Sequence, residues 1–147
     1  MKKRFLFILF VTVVLFIGCS STEVEDTETY EFLVANIDNV SEIQAYLEKE
    51  ISHGMDIDRE IMNSDTVLMI AARYTTNIKV LETIVSYFPS INKMNYETDM
   101  TALDYLSRRE GAEEMHKYLM EAALKAEMNK KVDEVKHNVV KNILNKF

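Results

Sequence analysis

The sequence predicts an all-α fold, and three observations carry the prediction. Only three Gly and one Pro occur in 147 residues, too few to turn the hairpins of a sheet protein. Apolar residues make up 48% of the chain with no Trp, and along much of it they recur at intervals of three and four. A segment beginning Thr66-Val67-Leu68 is echoed 35 residues later by Thr101-Ala102-Leu103, the self-similarity of stacked helical units. The length suits one domain with a modest core. With 17 basic and 24 acidic residues the formal charge is −7. That balance excludes general nucleic-acid binding, because phosphate affinity comes from Lys and Arg displacing counterions.

The first element reads as a targeting segment. Lys2, Lys3 and Arg4 precede the uncharged run Phe5 to Ile17, in which Thr12 alone is polar. This run falls short of the roughly 20 residues that cross a bilayer and has the length of a signal-peptide core. It closes with Leu15-Phe16-Ile17-Gly18-Cys19, which resembles the lipobox of bacterial lipoproteins, with Phe16 where Leu is usual. The resemblance implies that residues 1–18 are a signal peptide and that Cys19, the sole cysteine, is acylated with palmitate-type chains. It implies a lipoprotein of the bacterial cell envelope, held on a membrane by its amino-terminal lipid, on the periplasmic or surface side. Two or more acyl chains anchor stably where one does not. Residues 19–29 then form the lipidated terminus and a flexible tether, since Val24 is the only apolar residue from Ser20 to Thr29.

Residues 30–124 hold the repeated part. Glu31 to Asn36 and Asn39 to Leu47 form a degenerate opening pair of helices; Thr66 to Ala72 and Asn77 to Val85 form the second. The third combines Thr101 to Leu106 with Gly111 to Met120. Asn39 and Asn77 suit helix N-caps, and Glu42 follows Asn39 at capping-box spacing. Ala71 and Ala72 let the helices of a unit approach, while Leu68, Leu81, Ile84, Val85 and Leu103 fill the layer between units.

These segments resemble the ankyrin repeat, whose first helix carries T-P-L-H-x-A-A. Thr66, Leu68, Ala71 and Ala72 match it, and Gly54 and Gly111 match its turn glycine. The resemblance covers about residues 30 to 122 and implies a short solenoid of about three helix-turn-helix units, near the minimum for a stable stack. Val67 and Ala102 replace the family's Pro, and Met69 and Asp104 replace its His. That His ties neighbouring loops, so the loops here are expected to be less rigidly held. The family binds through its finger loops and first helices, which implies a protein-binding module without catalysis. The positions so implicated are Arg59, Ile61, Met62, Arg73, Tyr74, Met94, Tyr96 and Met100, facing an unknown protein partner. Met and Tyr suit such a surface, because Met repacks easily and Tyr offers area at low entropic cost.

Residues 125–147 differ in composition. They hold six Lys against three acids, whereas residues 20–124 hold eight bases against 21 acids. Met128, Val132, Val135, Val139, Val140, Ile143, Leu144 and Phe147 mark an apolar stripe on a C-terminal amphipathic helix. A helix folding back to cap the last unit is expected. Self-association, which would make the chain an assembly subunit, and binding to anionic lipid through Lys130, Lys131, Lys136, Lys141 and Lys146 are the alternatives.

Chemistry-bearing patterns are sparse. Glycines at 18, 54 and 111 alone form no phosphate-cradling loop. His53, His116 and His137 lack zinc-ligand spacing, and His116 is expected to pack in the core. Asp56, Asp58 and Glu60 open like a calcium loop, yet Ile61 takes the turn position and Val67 the closing one. No catalytic residue, cofactor or metal site is expected.

Overall fold

The computed structural model describes residues 21–145. Residues 1–18, expected to be a signal peptide, lie outside the described residues with Cys19 and Ser20, as do Lys146 and Phe147. The architecture is mostly helical: α1 (Ser21–Ala35), α2 (Val40–Ser52), α3 (Val67–Tyr74), α4 (Ile78–Val85), a minimal sheet of β1 (Met94–Asn95) and β2 (Met100–Thr101), α5 (Ala102–Ser107) and α6 (Glu113–Leu144). The two strands pair antiparallel, Met94 opposite Thr101 and Asn95 opposite Met100, a hairpin the all-helical expectation did not include.

The helices stack in two rows. In one row α1 packs on α3 and α3 on α5; in the other α2 packs on α4 and α4 on α6. Within units α3 packs on α4 and α5 on α6. Tyr46 joins α2 to α1 by donating from Oη to Thr29 Oγ1 at 3.2 Å and stacking on Phe32 with ring centroids 4.8 Å apart. Leu33, Ile43, Leu47, Leu68, Ile70, Leu81, Ile84, Leu106 and Leu119 are fully buried between the rows. Removing each such side chain from water contributes about 1.5–3 kcal/mol.

Local chemistry fixes the helix starts. Asn39 accepts from the Glu42 N–H and Asn77 from the Lys79 N–H, satisfying amides of the first turn. Thr66 and Thr101 form capping boxes: each hydroxyl accepts from the amide three residues on, while Met69 Sδ and Asp104 Oδ2 accept from the cap's own N–H. Met69 and Asp104 therefore help cap their own helices. Gly54 (φ +95°) and Gly111 (φ +76°) hold left-handed turns, a backbone conformation that favours glycine.

The unit turns are also tied to one another. Asp38, after α1, accepts from Thr75 Oγ1 and the Thr76 N–H, each at 2.7 Å, just before α4. Burial pushes the Asp38 carboxyl up, but these bonds with others from Thr76 and Asn77 outweigh it and hold it below its ordinary range. Arg109, after α5, donates to the carbonyls of Ala72 and Thr75 at 2.7 Å, satisfying acceptors at the end of α3.

Four expectations are corrected. The segment read as a flexible tether through residue 29 is helical from Ser21, because Thr29 is buried, Tyr46 grips it, and Asp26 pairs with Arg59 at 3.1 Å. The boundary at residue 125 does not exist. With no Gly or Pro after Gly111 and strong helix formers through Ala122-Ala123-Leu124, the last repeat helix and the tail form one 32-residue helix. Its buried positions, Met115 and Leu119, come early, and nothing folds back among the described residues: every residue from Leu124 to Asn145 is exposed. His116 is half-buried rather than part of the core, since the inward positions of α6 are taken by its neighbours Met115 and Leu119.

Candidate functional site

Two loops and the starts of two helices build one face. The first loop is a tight hairpin in which Met62 bridges Asp65 and the intervening Asn63 and Ser64 both have positive φ, the signature of a type I′ turn. The second loop is closed by the β1–β2 pair. There Asn95 Oδ1 accepts from the N–H groups of Glu97 and Thr98. Lys93 bridges the loops, donating to the Asp58 carbonyl at 2.6 Å and pairing with Glu60 at 3.3 Å.

Asp65 is the hub of this face. Its side chain is 1% exposed, and a buried carboxylate is tolerated only with its lone pairs engaged. Oδ1 accepts from Asn95 Nδ2 at 2.7 Å and from Tyr105 Oη at 3.0 Å; Oδ2 accepts from Arg73 Nη1 at 2.6 Å. Asn95 Nδ2 also donates to the Asn63 carbonyl at 2.7 Å. One carboxylate thus joins the first loop, the second loop, α3 and α5. The expectation of loosely held loops is overturned: Asp65 and Asn95 tie them together.

Aromatic rings surround the hub. The Arg73 guanidinium lies 5.4 Å from the Tyr74 ring centroid and 5.1 Å from that of Tyr105, close enough for cation–π attraction. Tyr74 meets Tyr30 edge-on at 6.5 Å and their hydroxyls are 3.0 Å apart. The hydrogen bond to Asp65 raises the Arg73 pKa against the opposing effect of burial, so the charge is permanent. The Tyr30 hydroxyl is raised by its bond to Tyr74 and by burial, and Tyr105 by burial first and then by nearby Asp65. Both phenols are neutral donors at physiological pH. The surface can offer a fixed cation, phenolic hydroxyls and apolar area to a bound molecule.

The implicated residues divide by exposure. Tyr74, Met94 and Tyr96 are exposed, Tyr96 at 71%. Arg59, Met62 and Arg73 are half-buried, with Arg59 committed to Asp26 and Arg73 to Asp65. Ile61 and Met100 are corrected: both are buried at loop stems, where each hairpin must place one apolar residue on the core. Sequence reasoning missed Tyr105 and Tyr30, and it pointed to the loops that hold Asp65 and Asn95 without singling out either residue. An acid directly before a capping Thr was the visible signal for Asp65; its partners lie 30 and 40 residues away.

The calcium-like acids serve the turn, with Asp58 Oδ1 accepting from the Ser90 N–H at 2.8 Å. A second surface lies on the other row. Phe88, with φ +58° and 91% exposure, borders an apolar cleft of about 410 Å³ lined also by Pro89, Tyr118, Ala122 and Lys125. Among the described residues no helix is long and apolar enough to cross a membrane, and no cluster of His, Cys, Asp and Glu could hold a metal ion. No protein-family model matches the chain, and neither does any curated protein or solved structure.

Proposed function

We propose that this chain is an ankyrin-type lipoprotein of the bacterial cell envelope, anchored through Cys19, that binds a protein partner on the face built around Asp65. The carrying observation is preorganisation. Asp65 binds Asn95, Tyr105 and Arg73 at once, so the loops and helices that present Tyr74, Met94 and Tyr96 are set before any partner arrives. A surface ordered in advance loses less entropy on association. Rigid aromatic side chains beside a half-exposed Arg have the composition of binding hot spots. The two-row stacking and the capped Thr starts support the ankyrin reading; the lipobox resemblance supports the anchor.

Crosslinking tests the binding face. A photoreactive residue replacing Tyr96 is expected to trap a discrete adduct in intact cells, and the same residue replacing exposed Glu82 on α4 is not. Equal adducts at both positions, or none at Tyr96, would refute the assignment. Mass analysis of the amino-terminal peptide tests the anchor, which fails if Cys19 carries a free thiol on an uncut chain.

A further inference from the structure

The free part of α6 is a surface without a role in the binding face. From Leu124 onward it stands clear of the core, an overhang of 21 residues or about 30 Å. Leu124, Met128, Val132, Val135, Val139 and Ile143 are each between 50% and 68% exposed. They fall on one stripe, turned about 135° from the inward line of Met115, Leu119 and Ala122 at about 100° per residue, while Val140 and Leu144, also exposed, lie off it by about 110° and 150°. The stripe cannot be satisfied by its own domain.

The stripe's borders say what covers it. Within about 70° of its centre line the only charged residues of the overhang are Lys125 and Lys136 on one side and Lys131 on the other. Glu127, Asp133 and Glu134 lie farther round, about 110° or more from that line. A second copy laid along the stripe, parallel or antiparallel, would bring Lys against Lys at both edges, where like charges destabilise a helix pair. An anionic lipid surface has the opposite preference: apolar side chains enter the acyl boundary while flanking lysines reach the headgroups. Phe88 shares its cleft with Lys125 and Asn129, so the apolar surface continues from α6 onto the loop after α4. The acidic body does not cancel the attraction, because an overhang of about 30 Å exceeds the roughly 10 Å screening length of 0.1 M salt.

We infer that the free half of α6 is a lipid-binding helix that lies in the interface of an anionic membrane, stripe inward. This contact is separate from Cys19 and from the Asp65 face.

An environment-sensitive dye on the purified full chain tests it, attached at Val135→Cys on the stripe or at His137→Cys, about 160° away on the opposite side. The unsubstituted chain, labelled in parallel, gives any background from Cys19. The chain is reconstituted with vesicles of phosphatidylcholine alone or of phosphatidylcholine with phosphatidylglycerol. The expected result is a blue shift and quenching by lipid-borne quencher at position 135 in anionic vesicles only, with position 137 remaining aqueous. Replacing Lys125, Lys131 and Lys136 together with Gln should shift the ratio of inserted to free tail about a hundredfold toward free, at roughly fivefold per lysine. No shift at 135 in anionic vesicles overturns the inference. Equal shifts in both vesicle types overturn the electrostatic recognition. A shift at 135 that grows with protein concentration in the absence of lipid means the stripe pairs with a second copy, which also overturns it.

Discussion

Asp65→Ala isolates the device on which the proposed binding face depends. The substitution removes three hydrogen bonds from one buried carboxylate, two of them to neutral donors and one to a guanidinium. Their losses do not simply add. Asn95 Nδ2 keeps the Asn63 carbonyl, Tyr105 Oη keeps Thr98 at 2.9 Å, and Arg73, with a side chain 35% exposed, can turn to water. No partner is stranded in a dry site, so the cost sits below the 3–5 kcal/mol of a broken buried pair and above that of one bond, at about 2–3 kcal/mol. For a domain of this size that lowers the melting temperature by about 10–20 °C while leaving most molecules folded at room temperature. Urea unfolding followed by circular dichroism measures it, with Arg73→Ala and the double variant completing a cycle. A change under about 0.5 kcal/mol would show that the carboxylate is incidental to the stack.

Three further outcomes follow from other parts of the chain. Phe88→Asn should raise stability by about 0.5–1 kcal/mol in the same assay, because Asn tolerates the left-handed backbone at φ +58° that Phe adopts under strain; a loss would mean the ring is held by packing despite its 91% exposure. Asp38 and Asp104 have pKa values below their unfolded value of 3.8: Asp38 because hydrogen bonds outweigh burial, Asp104 chiefly through its bonds with Thr101. The unfolded chain takes up those protons first, so the stabilisation is complete above about pH 5 and is lost as pH falls through the folded values, and Asp38→Asn with Asp104→Asn should flatten that decline in unfolding midpoints. Ending the chain after Ala126 should leave the melting temperature within about 3 °C, and a much larger fall would mean that the tail covers the core.

Much of the fold was legible because it is written in local codes. Asn39, Asn77 and the two Gly turns act within a few residues, and the apolar spacing around Leu68 and Leu81 follows from helix periodicity alone. Where the reading went astray, an element was decided by something distant. Residues 21–29 carry no apolar pattern, yet they are helical where Tyr46 and Arg59 reach across to Thr29 and Asp26. Composition marked a break near residue 125, but backbone propensity shows no interruption there and the helix runs on. The proposed binding face was legible only in its position: Tyr74, Met94 and Tyr96 were picked out with Ile61 and Met100, and side-chain direction at a loop stem separates the two sets.

The sequence by itself determined that the chain is mostly helical, where the four helices capped by Asn39, Thr66, Asn77 and Thr101 begin, and the order in which near-copies follow one another. Tertiary structure alone decided which loops are locked and which apolar residues remain uncovered. The physical reason is range. Caps and periodicity are contests among atoms a few residues apart, whereas the grip on Asp65 comes from Asn95 and Tyr105, 30 and 40 positions away, and the freedom of the α6 stripe depends on the direction in which Met115 and Leu119 have already committed the helix.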